Sequence, residues 1–239
     1  MLVLRAWVGV NPFGLMEFDY TSARESLVKS LRWEISDERV LSAFARVPRE
    51  CFVPPELRHY AYDDRPLPIG YGQTISQPLM VAIMTQALGL KGDEKVLEVG
   101  TGSGYQAALL AELSREVITV ERVPELAERA AKTLREFGYH QVKVHVAGDE
   151  LGWPQDGPYD AIIVTAGAPR VPQSLVDQVA VDGRMAIPVG GRRVQELLVA
   201  SKTQQGLSIK RMGECRFVPL ISVPDGWPES EAYEEPASP

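Results

Sequence analysis

Between residues 20 and 222 the apolar positions follow two rhythms that alternate along the chain. They recur every three or four residues over 22–32 and 36–47, which predicts two amphipathic helices, the second opened by Ser36 in a capping position. Pro48, Pro54 and Pro55 interrupt the pattern after them. The stretch GYGQTISQP, residues 70–78, has neither rhythm and reads as a loop, the kind of segment that carries function more often than packing. Pro78 suits the first turn of a helix over 79–90. From Lys95 onward short apolar runs at 95–100, 116–121, 142–149, 159–167 and 183–190 predict strands, with helical patterns at 105–114, 123–138 and 172–180 among them. Strand–helix alternation implies an α/β, doubly wound, mostly parallel, Rossmann-like sheet. The last runs, 194–204 and 207–222, alternate apolar and polar with no helix between them. They predict an antiparallel C-terminal edge, as the first two helices predict an N-terminal helical region.

The ends differ from this body. Residues 1–19 are apolar at first but carry no small-x-small cleavage site, which argues for a loosely ordered extension over a secretory signal. Residues 223–239 are acidic and proline-rich without periodicity and read as a mobile tail. A single domain over 20–222 is expected between them. Composition is that of an ordinary soluble protein, 45% hydrophobic and 24% charged. The net charge of −7 argues against nucleic acid or an anionic membrane as partner. Two cysteines, Cys51 and Cys215, form neither a disulfide framework nor a metal-ligand spacing, which fits a reducing cytoplasm and a site without metal. A monomer is expected.

The strongest chemical signal is VLEVGTGSGYQ, residues 96–106. Gly100, Gly102 and Gly104 fall where a strand gives way to a helix, allowing a tight turn and close approach of a ligand to the backbone. A dinucleotide fingerprint would place its third glycine at Tyr105. Glu98 also sets a carboxylate beside the ligand, unfavourable for a pyrophosphate and favourable for an ammonium or sulfonium. The pattern therefore points to S-adenosylmethionine over NAD. Glu121 ends the next predicted strand, where an acid can accept both ribose hydroxyls. Asp149 follows a third and could bind an adenine amino group. Singly, each acid could be a solvated loop carboxylate; together they trace one nucleoside pocket.

Methyl transfer from a sulfonium needs alignment above all, and a base only when the acceptor must lose a proton. Candidate bases are few. His59, His140 and His145 lie where packing or solvation explains them, and TAGAP stands where N-methylating enzymes carry an N/D-P-P-Y/F. Cys51 and Cys215 read as packing residues. A carboxylate acceptor, with a pKa of about 4, is already ionised and needs only orienting donors. Ser76 and nearby backbone N–H groups could supply these, and other small acceptors stay open on the residues alone. Ser76 could equally cap the helix that follows it.

The blocks at 37–54, 67–84, 96–111, 159–169, 187–190 and 216–222 together resemble protein-L-isoaspartate O-methyltransferases, from about Ala23 to Ser222. GQTISQP and RFVPL are the most specific of them. The resemblance implies an S-adenosylmethionine-dependent methyltransferase fold and a repair activity, with isoaspartyl proteins and peptides as substrates and S-adenosyl-L-homocysteine as product. The enzyme would esterify the free α-carboxyl of L-isoaspartyl residues, and the ester would collapse to a succinimide that can reopen to aspartate. It also implies Ser76 as the active-site serine, with Thr74, Ile75, Val218, Pro219 and Leu220 on the substrate. Glu98, Gly100, Thr101, Gly102, Ser103, Gly104, Glu121, Arg122, Gly148 and Asp149 would hold the cofactor. Family members often carry glycine where this chain has Glu150. The alternatives are a methyltransferase acting on a small molecule or RNA, and a cofactor-binding module without transfer activity.

Overall fold

The computed structural model describes residues 18–232. Two helices come first, α1 (Tyr20–Leu31) and α2 (Glu38–Arg46). The cap of α2 is Asp37 and not Ser36: the Asp37 side chain accepts from the Arg39 N–H at 2.9 Å, while Ser36 donates both N–H and hydroxyl to Gln86. Short 3₁₀ turns at Arg49–Phe52 and Pro55–Tyr60 follow.

The segment read as a loop is largely a hairpin. Strands β1 (Leu67–Gly70) and β2 (Gln73–Ile75) pair antiparallel, turning through Gly70, Tyr71 and Gly72, all with positive φ. Alternation there was too short to show as a pattern. Helix α3 (Pro78–Leu88) begins on Pro78 as expected and ends on left-handed Gly89.

The parallel sheet then forms from β3 (Lys95–Val99), β4 (Glu116–Glu121), β5 (Val142–Val146), β6 (Tyr159–Val164) and β7 (Val179–Gly190). Helices α4 (Tyr105–Ala111), α5 (Pro124–Glu136) and α6 (Gln173–Gln178) connect them. Strands β8 (Gln195–Thr203) and β9 (Gly206–Cys215) close one edge antiparallel, as the unbroken alternation predicts. The spatial order is β5-β4-β3-β6-β7-β8-β9. Chain order reverses between β3 and β6, and such a switch point leaves a crevice at the carboxyl ends of the strands. One apolar cluster packs the N-terminal helices, α3 and α4 on one face of the sheet, and a second packs around Leu175 and Leu220 on the other.

Beyond Ser222, where a mobile tail was expected, the described residues turn back on the body. Trp227 donates its N–H to the Leu220 carbonyl at 2.7 Å and accepts from the Ser222 N–H. Asp225 accepts from the Ser174 hydroxyl at 2.6 Å. A last short helix, α7 (Glu229–Ala232), follows. The expected extension over 1–17 and the end of the tail over 233–239 lie outside the described residues.

Candidate active site

At the carboxyl end of β3 the chain turns through Gly100, Gly102 and Gly104, each with positive φ. A Cβ on Gly100 would lie 2.3 Å from the Thr165 hydroxyl, which instead donates to the Gly100 carbonyl at 2.7 Å. Gly100, Thr101, Gly102 and Ser103 line one wall of a cavity of about 420 Å³. Gly104 does not. A Cβ there would fall 3.2 Å from the Ala130 Cβ and 3.3 Å from Leu134, so this glycine lets α4 approach α5. Packing against α5 accounts for a glycine at this position. The signal at this position was a glycine, and spacing cannot tell close helix approach from close ligand approach.

Glu98 is fully buried on β3. Its Oε2 accepts from the Thr119 hydroxyl at 2.6 Å, and that hydroxyl also pairs with Thr101. Oε1 has no hydrogen-bond partner among the described residues. Burial, reinforced by the Glu121 charge and opposed by the Thr119 hydrogen bond, pushes the Glu98 carboxyl up to about 8. Leaving such an oxygen unpaired costs about 1–3 kcal/mol or more. An ammonium donor would relieve that cost, so these residues fit the amino-acid end of S-adenosylmethionine. Glu121 ends β4 with one carboxylate oxygen on the Gly102 N–H (2.8 Å) and the other on the Val123 N–H (2.9 Å), each keeping a lone pair to accept from a ligand. Arg122 lies beside it and pairs with Glu229 at 3.0 Å. Gly148 and Asp149 line the cavity after β5, together with Glu150.

The other end of the cavity joins two segments remote in sequence. Thr74, Ile75 and Ser76 come from the hairpin, and Val218, Pro219 and Leu220 from the segment after β9. That segment is pinned to the loop after β6: Gly167 donates to the Val218 carbonyl at 2.7 Å and accepts from the Leu220 N–H at 2.8 Å. The Gln195 side chain accepts from the Phe217 N–H at 2.8 Å. Ser76 is half-buried, and its hydroxyl makes no hydrogen bond to the described residues. The capping alternative fails, because Asp64 serves the start of α3, accepting from the Leu79 N–H and the Gln77 amide at 2.9 Å each.

Sequence reasoning missed several residues here. Tyr105, Gln106, Thr165 and Phe217 line the cavity, and buried Arg49 grips the Ser76 carbonyl from behind at 2.7 Å. Only the adjacency of Tyr105 to the glycines carried a signal. The excluded groups stay away: no histidine lines the cavity, and His145 stacks on Trp153 at 4.0 Å. Neither thiol lines it, and burial pushes Cys215 up to about 11. Among the described residues no cluster of His, Cys, Asp and Glu could hold a metal ion, and no helix is long and apolar enough to cross a membrane.

The family model for protein-L-isoaspartate(D-aspartate) O-methyltransferase matches residues 22–224. The chain belongs to this family. A Syntrophobacter fumaroxidans protein-L-isoaspartate O-methyltransferase is 50% identical over 205 residues, which cover 85% of this chain and 96% of the relative. One from Methanopyrus kandleri is 50% identical over 226 residues, 92% of this chain and 97% of the relative. A Plasmodium falciparum protein described as a beta-aspartate methyltransferase, solved with S-adenosyl-L-homocysteine, superposes with a TM-score of 0.72 at 26% identity. The match covers 84% of this chain and 97% of that one. Family membership bears out the expected enzyme class, an S-adenosylmethionine-dependent carboxyl methyltransferase. It does not favour the small-molecule or RNA alternative.

Proposed function

We propose that this chain esterifies the free α-carboxyl of L-isoaspartyl residues in proteins and peptides, with Ser76 orienting that carboxylate. The observation that carries the reading is the uncommitted Ser76 hydroxyl, in the same cavity as the unpaired Glu98 oxygen. Bound S-adenosylmethionine would supply a methyl on a sulfonium, from which the neutral thioether departs without a proton transfer as the carboxylate oxygen takes the methyl. Glu98 would accept from its ammonium, Glu121 from its ribose hydroxyls and Asp149 from its adenine amine. Thr101 fixes Glu98 through Thr119, while Gly100, Gly102, Ser103, Gly148 and Arg122 shape the nucleoside end. Thr74, Ile75 and Ser76 face Val218, Pro219 and Leu220 across the acceptor end, where an extended peptide backbone would run. A carboxylate acceptor is ionised at neutral pH, so no base is needed, and the chain offers none there. Its task is to hold one oxygen in line and exclude water.

The walls also carry Glu121, Asp149 and Glu150 against Arg122, a balance hostile to a nucleic-acid backbone. A monomeric cytoplasmic enzyme with one catalytic domain over 20–222 accords with this reading. Incubation with methyl-labelled cofactor checks it, using an aged protein rich in isoaspartate and, separately, bulk RNA. Base-labile label on the protein alone is expected; base-stable label on RNA would favour the other acceptor class.

A further inference from the structure

We propose that Arg49 is a positioning residue for the methyl-acceptor carboxylate: it fixes Ser76 through its carbonyl and sets a buried guanidinium charge behind it. The proposal rests on the reading of Ser76 given above. Arg49 opens the 3₁₀ turn after α2 and is the only buried cationic residue among those described. Its Nε donates to the Ala61 carbonyl and its Nη2 to the Ser76 carbonyl, each at 2.7 Å. The guanidinium lies over the Tyr105 ring, 4.8 Å from its centre, and Tyr105 itself lines the cavity. The remaining nitrogen, Nη1, is buried without a hydrogen-bond partner.

A buried arginine that only packs would be expected to face a carboxylate, because an isolated buried charge costs several kcal/mol. Arg49 makes no ion pair among the described residues, and the Asp64 carboxylate favours its charge only from beyond ion-pair distance. Its neighbour Glu50 is taken by Arg24 at 3.0 Å and by the Tyr62 hydroxyl. Burial lowers the Arg49 pKa only to about 10, so it stays a cation at neutral pH. Meanwhile the charged side chains lining the cavity are mostly acids, and the one cation among the described residues that line it, Arg122, stands at the β4 end beside Glu121. An anionic acceptor has to settle where positive potential offsets those acids, and Arg49 supplies it at the Ser76 end. Asp64 fixes the next turn through Leu79 and Gln77, so the Ser76 hydroxyl is presented by a loop held on both sides of it in sequence.

The test is steady-state kinetics on an isoaspartyl peptide for wild type, Arg49→Lys and Arg49→Gln, with S-adenosyl-L-homocysteine affinity measured in parallel. A lysine cannot span both carbonyls, so Arg49→Lys should raise the peptide KM about tenfold. Cofactor affinity should stay within about twofold. Arg49→Gln, which also removes the charge, should raise KM about another tenfold at a smaller change in kcat. Peptide KM unmoved in Arg49→Lys would overturn the proposal, as would loss of cofactor affinity in step with the KM. Should Arg49→Gln fail to fold, Arg49→Lys alone decides by the same criteria. A wild-type enzyme that esterifies no isoaspartyl peptide is a separate result, seen before any variant, and it would remove the reading of Ser76 itself.

Discussion

Two side chains carry most of the proposed chemistry, and each makes a distinct forecast. Ser76→Ala removes a hydroxyl that holds nothing in the protein together, so the melting temperature and cofactor affinity should match wild type. Turnover on an isoaspartyl peptide should fall about 10- to 100-fold, the worth of one hydrogen bond to a charged group. Glu98 behaves oppositely. In the ligand-free protein it keeps its proton to about pH 8, whereas an exposed glutamate loses it near 4.5. Across that window folding takes up a proton, so stability falls as pH rises from 4.5 to 8. Glu98→Gln abolishes this slope, and thermal denaturation should show the variant gaining on wild type steadily up to pH 8. The same change should weaken S-adenosyl-L-homocysteine binding. Binding to wild type should release a proton between those pH values, measurable by calorimetry in buffers of different ionisation enthalpy.

At the scale of elements, the glycine turn divides between two tasks. Gly104→Ala forces a side chain into positive φ against Ala130 and Leu134 and should cost about 1–3 kcal/mol of stability. Cofactor affinity in the folded fraction should be little changed, as denaturant unfolding and a binding titration together would show. The strand–helix alternation and the acids at strand ends were legible in the sequence, because local period and position state them directly. The β1–β2 hairpin was not, since three or four residues are too few to display a period. Asp37 displaced Ser36 as a cap because Gln86, fifty residues away, claims the Ser36 donors. Arg49 was illegible for the same reason: its partners, Ala61 and Ser76, are set by the fold and not by neighbours in the chain.

For the whole molecule, the decisive feature is where the two ends of the cavity come from. The nucleoside end is assembled from successive strands of one parallel sheet, which the chain order already implies. The acceptor end needs the hairpin before the sheet and the 217–220 segment after it to meet, and Gly167 and Gln195 bring the latter into place. On the proposed reading, that meeting is what brings a protein backbone to the cofactor. The most direct test is methyl transfer from labelled S-adenosylmethionine to two peptides identical except for L-isoaspartate or L-aspartate at one position. Base-labile label on the isoaspartyl peptide alone is the predicted result. Equal labelling of both, or none on either by protein that still binds the cofactor, would contradict it.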